Sequence, residues 1–89
     1  MTEDQKLEQR LFALASSRRL AILRYLKKNH SATVSAIARE LKIRVPSASQ
    51  HLNLLYEAGI VTFIKRCMFV SYRLLMKQEE PVKGVMRML

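Results

Sequence analysis

Apolar residues recur along this chain with helical spacing in five places and with strand-like density in two. Over Glu3 to Leu14, the residues Leu7, Leu11 and Leu14 form one stripe, broadened by Phe12. Thr2 stands as an N-cap and acidic residues occupy the first turn. Ser16-Ser17 interrupts the pattern and opens a second helix that runs to about Lys28. There Leu20, Leu23 and Leu26 line one side with Ile22 beside them, and Arg18, Arg19, Arg24, Lys27 and Lys28 are expected to face solvent. Asn29 to Ala32 reads as a loop. Thr33 then caps a short helix in which Val34, Ile37, Ala38 and Leu41 recur at i, i+3, i+4 and i+7.

A turn at Lys42-Ile43-Arg44 separates that helix from the next, which opens near Val45-Pro46, where a proline without an N–H is tolerated. Ala48, Leu52 and Leu55 keep its period, and Gly59 supplies a left-handed stop. Ile60 to Ile64 and Met68 to Leu74 are rich in β-branched and aromatic residues, with Lys65-Arg66-Cys67 between them. Beyond a polar stretch, Pro81 begins a last helix with Val82, Val85, Met86 and Leu89 on one face. This order is the outline of a winged helix-turn-helix: mainly α with a small β-hairpin wing, ααααββα. In that fold the second helix of the motif enters the DNA major groove. Residues 1–89 read as one domain, with a core over 16–75 and terminal helices over about 3–14 and 80–89.

Charge sharpens the picture. The chain is formally +9, and residues 16–77 hold 12 basic against only 2 acidic side chains. A basic centre between near-neutral ends is the footprint of a polyanion binder. The single cysteine excludes an internal disulfide, and no apolar run approaches 18 residues, which points to a soluble, cytoplasmic protein. No nucleophile–histidine–acid set, Gly-rich phosphate loop or paired-carboxylate pattern is present, so the residues argue against an enzyme and for no cofactor.

Two segments carry a more specific likeness. Ala13-Leu14-Ala15-Ser16-Ser17-Arg18-Arg19-Leu20-Ala21-Ile22-Leu23 resembles the opening of ArsR-type transcriptional regulators. Ser49 to Val61, SQHLNLLYEAGIV, is similar to the recognition helix of that family, and Phe69 to Leu74 to its second wing strand. The resemblance covers residues 11–75 in order and spacing. It implies a DNA-binding regulator, a repressor that blocks a promoter, and dimerisation through the terminal helices. The rivals are a winged-helix module for protein or RNA contacts and a thiol-responsive regulator.

Turning Ala48, Leu52 and Leu55 inward puts Gln50 and Asn53 outward, with Ser47 and Ser49 on the flanks. Gln50 is the leading base reader, because its amide pairs bidentately with adenine. Ser47, Ser49 and Asn53 are candidates for bases or phosphates. His51, at the core edge, is expected to be structural or to touch a phosphate. Arg44 stands where the family often has a capping serine, and it is expected, with Lys42, to meet the DNA backbone. The wing adds Lys65, Arg66 and Arg73 for the backbone or the minor groove.

Cys67 stands about where the family has glycine. Without glycine a tight primed turn is strained, which points to a longer or less regular wing with Cys67 exposed and open to oxidation. Metal-sensing members of the family carry C-x-C on the first helix of the motif. Thr33 and Ser35 stand there instead, so no metal site is expected. Finally, a winged core fills its own interior, which leaves two apolar stripes: Leu7, Leu11 and Leu14, and Val82, Val85, Met86 and Leu89. Pairing with a second copy explains them best; the alternative is that they fold back on their own core.

Overall fold

Three of the five helices begin where a hydroxyl side chain accepts a hydrogen bond from an N–H that the helix itself leaves free. In the computed structural model, which describes residues 1–89, α1 spans Glu3–Leu14, α2 Ser17–Asn29 and α3 Val34–Leu41. Thr2 forms a full capping box with Gln5: Gln5 N–H donates to Thr2 Oγ1 (3.1 Å) and Thr2 N–H to Gln5 Oε1 (2.8 Å). Ser16 accepts from the N–H of Arg19, and Thr33 from that of Ala36. The expected starts and stops of these helices agree with the structure to within a residue or two.

The chain continues through α4 (Val45–Glu57), β2 (Val61–Arg66), β3 (Phe69–Leu74) and α5 (Val82–Met88). Ahead of α3, Ala32–Thr33 forms a short strand, β1, where the pattern suggested only loop. It pairs antiparallel with β3 (Ala32 opposite Tyr72, Thr33 opposite Ser71), giving a three-stranded sheet ordered β1-β3-β2. Thr33 thereby serves twice, as the last residue of a strand and as the cap of α3, so the sheet and the helix-turn-helix share one anchor.

The turn between α3 and α4 is tight because Lys42 takes the left-handed conformation (φ 56°, ψ 46°), uncommon for a side chain other than glycine. At the far end of α4, Gly59 (φ 75°) closes a Schellman motif. Its N–H donates to Tyr56 O, and the N–H of Ile60 to Leu55 O, while Leu55 and Ile60 are both fully buried. Leu75 N–H and Gln78 Nε2 then both donate to Ile60 O, which closes the hairpin back onto the helix end.

The core joins all the helices: Ala13 and Leu14 of α1, Ile22, Leu23 and Leu26 of α2, Ile37 and Ala38 of α3, Ala48, Leu52 and Leu55 of α4, with Ile60, Val61 and Val82. Two expected interface residues are thus corrected. Leu14 is buried, and Val82 is 0% exposed, both inside this protomer. The reason is that α1 and α5 pack against each other, and α1 also against α2 and α4, so the ends of the chain help to complete the interior. Val85, Met86 and Leu89 are half-buried against the same core, whereas Leu7 (38% exposed), Leu11 (49%) and Phe12 (59%) stay open to solvent.

Candidate nucleic-acid interface

With Ala48, Leu52 and Leu55 buried, α4 turns Pro46, Ser49, Gln50, Asn53 and Glu57 to solvent, while Ser47, His51 and Leu54 are half-buried. Gln50 lies opposite the buried stripe. Ser47 and His51, four residues apart, share one flank; Ser49 and Asn53, also four apart, share the other. The exposed edge of the helix is therefore polar and free of acids until Glu57, in its last turn.

At the start of α4, Arg44 takes the cap position with its side chain making no capping bond, and Pro46 lies in the first turn. The free N–H groups and the positive end of the helix dipole are left together with the exposed Arg44 guanidinium and the nearby Lys42.

The wing is more regular than the lack of glycine suggests. Arg66 pairs directly with Phe69, so only Cys67 and Met68 make the turn, and the expected longer or irregular wing does not occur. The strain is taken at Cys67 instead, whose φ is 55°. Cys67 is exposed there. Register sorts the cations: Arg66 and Arg73 lie on one face of the hairpin, and Lys65 on the other. All three are exposed.

What fixes the wing relative to α4 is a run of three aromatic rings. Tyr56 of α4 tilts against Phe63 of β2 (5.2 Å between centroids), and Phe63 against Tyr72 of β3 (5.6 Å). Such tilted pairs add about 0.5–1.5 kcal/mol each beyond area burial. Sequence reasoning missed this aromatic run, although the pairing of Phe63 with Tyr72 across the two predicted strands is its signal.

It also missed Arg19. The helical spacing places Arg19 in solvent, yet it is only 6% exposed and is the one buried charged residue. Its Nε donates to Ala13 O (2.7 Å) and its Nη2 to Phe12 O (3.0 Å), satisfying carbonyls at the end of α1, which has no basic residue in its last turn. The guanidinium lies over the Phe12 ring (5.2 Å), and Nη1 reaches His51 Nδ1 on α4 (3.2 Å). His51 titrates below the ordinary histidine value, because burial disfavours the imidazolium and Arg19 and Arg18 repel it.

The two ion pairs of the protein, Lys6–Glu3 and Arg87–Glu80, lie in the terminal helices and the approach to α5. No basic side chain of residues 16–77 is paired with an aspartate or glutamate, so the positive field of the central region is not cancelled by side-chain salt bridges. No group of three His, Cys, Asp or Glu residues is arranged to hold a metal ion, and the Thr33 hydroxyl is engaged in capping α3. No helix is long and apolar enough to cross a membrane.

A helix-turn-helix domain model matches residues 14–62, more than half of the chain. Over 61 residues, 68% of each protein, the chain is 41% identical to the uncharacterized HTH-type transcriptional regulator MJ1325 of Methanocaldococcus jannaschii. The chain belongs to the helix-turn-helix transcriptional regulators, and its structural neighbours place it with the ArsR-family winged helix-turn-helix proteins. Solved structures agree with this. HlyU from Vibrio cholerae superposes with a TM-score of 0.78 at 30% identity, covering 99% of this chain and 92% of that one. The homodimeric winged helix-turn-helix DNA-binding domain of Mb0332 from Mycobacterium bovis, a possible ArsR-family regulator, gives 0.78 at 27% identity, with 94% and 71% covered. As a member of this group, this chain is a DNA-binding transcription regulator.

Proposed function

We propose that this ArsR-like regulator acts as a homodimeric repressor that reads double-stranded DNA with α4 and grips the backbone with the wing. One observation carries the reading: the polar, acid-free edge of α4 around Gln50 is flanked by exposed cations that no carboxylate neutralises. Gln50, with Ser49 and Asn53 beside it, meets base edges in the major groove. Arg44, Lys42, Lys65, Arg66 and Arg73 meet phosphates, and Ser47 and His51 lie on the flank that faces a backbone strand. Dimerisation uses Leu7, Leu11 and Phe12 of α1, with the half-buried Val85, Met86 and Leu89 at the margin; the homodimeric Mb0332 domain supports it. A repressor of this kind works where the chromosome is, in keeping with a cytoplasmic location.

Substitution and salt test the reading together. Gln50→Ala is expected to weaken binding to a specific site by about 1–3 kcal/mol and to relax preference at one base pair per half-site. Arg66→Ala or Arg44→Ala weakens all sequences alike and makes the salt dependence shallower, by about one unit of slope for each phosphate left unmet. With about four phosphates met per protomer, the slope of log affinity against log salt is on the order of −7. A slope near zero, or equal affinity for single-stranded RNA, would favour a winged-helix module of another kind.

A further inference from the structure

A guanidinium only donates, so the contact between Arg19 Nη1 and His51 Nδ1 makes Nδ1 the acceptor. A neutral imidazole whose Nδ1 accepts carries its proton on Nε2. That nitrogen has no partner within the chain, and no buried side-chain nitrogen or oxygen lacks one, so Nε2 opens to solvent. It does so from the flank of α4, beside the edge that carries Gln50.

We propose that Arg19 is a positioning residue for DNA recognition: it holds the His51 ring with its proton on Nε2, so that α4 offers a neutral N–H donor to a DNA phosphate oxygen. The ring is steadied from behind. Arg19 is itself fixed by Ala13 O, Phe12 O and the Phe12 ring, so His51 rests on a buried arginine anchored in α1. A donor held in this way loses little side-chain freedom when it meets its acceptor. His51 is half-buried on the flank of α4, about 100° around the helix from Gln50, and so turned away from the exposed edge that meets bases and toward a backbone strand. A phosphate is therefore the acceptor in reach. Because the donor is neutral, it adds orientation without releasing a counterion.

Arg19 also ties this donor to α1, the helix that carries Leu7, Leu11 and Phe12 on its surface. Phe12 contributes both a carbonyl and a ring to the arginine's seat. The recognition helix and the proposed dimer face are thus joined through one side chain.

The first test needs no variant and no DNA. In nitrogen-15 NMR of the free protein at about pH 7.5, above the ordinary histidine value, His51 is expected to show a protonated Nε2 and an unprotonated Nδ1, and to titrate below its ordinary value. Arg18 and Arg19, both on α2, are the charges that disfavour its imidazolium, so Arg19→Met is expected to move its titration upward. Arg19→Lys keeps the charge but not the fork, and is expected to leave a mixture of ring tautomers. A proton on Nδ1 in the unmodified protein would overturn the proposal at once.

The second test uses DNA and rests on the functional reading above. His51→Phe is expected to bind a specific duplex about tenfold more weakly with an unchanged salt slope. His51→Gln, which keeps a donor and an acceptor, is expected to weaken binding less. If the unmodified protein binds duplex DNA and His51→Phe binds it equally well, this inference fails while the functional reading stands. If the unmodified protein binds no DNA, both fail.

Discussion

The two terminal helices carry the same kind of apolar stripe and meet different fates. Helix α5 spends its stripe inside the protomer: Val82 is fully buried, and Val85, Met86 and Leu89 lie half-buried against the core. It is also tied down at both ends. Arg10 Nε of α1 donates to Glu80 O just ahead of α5, and Lys27 Nζ of α2 to Met86 O (2.7 Å) and Leu89 O (3.2 Å). Helix α1 buries only Ala13 and Leu14, in its last turn, and leaves Leu7, Leu11 and Phe12 in the open. An apolar stripe says that something must cover it, and the fold alone decides whether that is the same chain or another. On the proposed dimer the division of labour is asymmetric, with α5 serving mainly stability and α1 mainly assembly.

The largest expected effect breaks that division at α1. Leu11→Glu places a charge in the proposed interface, where an unpaired buried charge costs several kcal/mol. Sedimentation at micromolar concentration should find a monomer that remains folded by circular dichroism and no longer binds DNA tightly. If this variant is still a dimer, α1 is not the covering surface. Val82→Ala should act in the opposite sense. It should lower stability by about 2 kcal/mol in thermal or urea unfolding, through the cavity it leaves, while the dimer persists at the same concentration. A loss of dimer without a loss of stability would reverse the roles assigned to the two helices. The smallest effect sharpens the comparison: Lys27→Met removes the bonds to the end of α5 and should cost about 1 kcal/mol. Hydrogen exchange should then quicken in α5 and remain unchanged in α1.

A pH prediction follows from the link between α1 and α4. His51 titrates lower in the folded protein than in the unfolded chain, so the unfolded state binds more protons between the two values. The stability that comes from keeping His51 neutral is full above its ordinary value of 6.5 and is lost as pH falls through the lowered one. The folded state of the unmodified protein should therefore lose more stability on acidification than that of His51→Gln. An equal loss in both would mean that His51 is not the titrating group.

Most of the helix-turn-helix was legible because its helices combine period, cap and stop. Thr33, Pro46 and Gly59 each sit where one conformation is strongly favoured. The exposure of the candidate readers followed from the same geometry: once Ala48, Leu52 and Leu55 are inside, Gln50 and Asn53 have nowhere else to face. Strand β1 was not legible, since two residues carry no alternation. The tight wing was obscured because Cys67 holds the left-handed position that usually calls for glycine. Arg19 was obscured by its own charge, although a signal was present. Residues 19, 22, 23 and 26 form an i, i+3, i+4, i+7 stripe whose last three members are Ile22, Leu23 and Leu26, all buried. An arginine that opens a buried stripe is a candidate for a buried network, and only the tertiary fold shows that α1 carbonyls and His51 complete it. Nothing in the sequence separated α1 from α5, because which stripe remains uncovered depends on how the chain ends pack.

The central claim is that a dimer built on α1 presents two copies of α4 to one face of double-stranded DNA. Selection of bound duplexes from a random-sequence pool by the full-length chain tests it most directly. The account predicts enrichment of an inverted repeat whose half-sites lie about one helical turn apart, roughly 10–10.5 base pairs from centre to centre. Enrichment of a single half-site, or no enrichment over the starting pool, would contradict it.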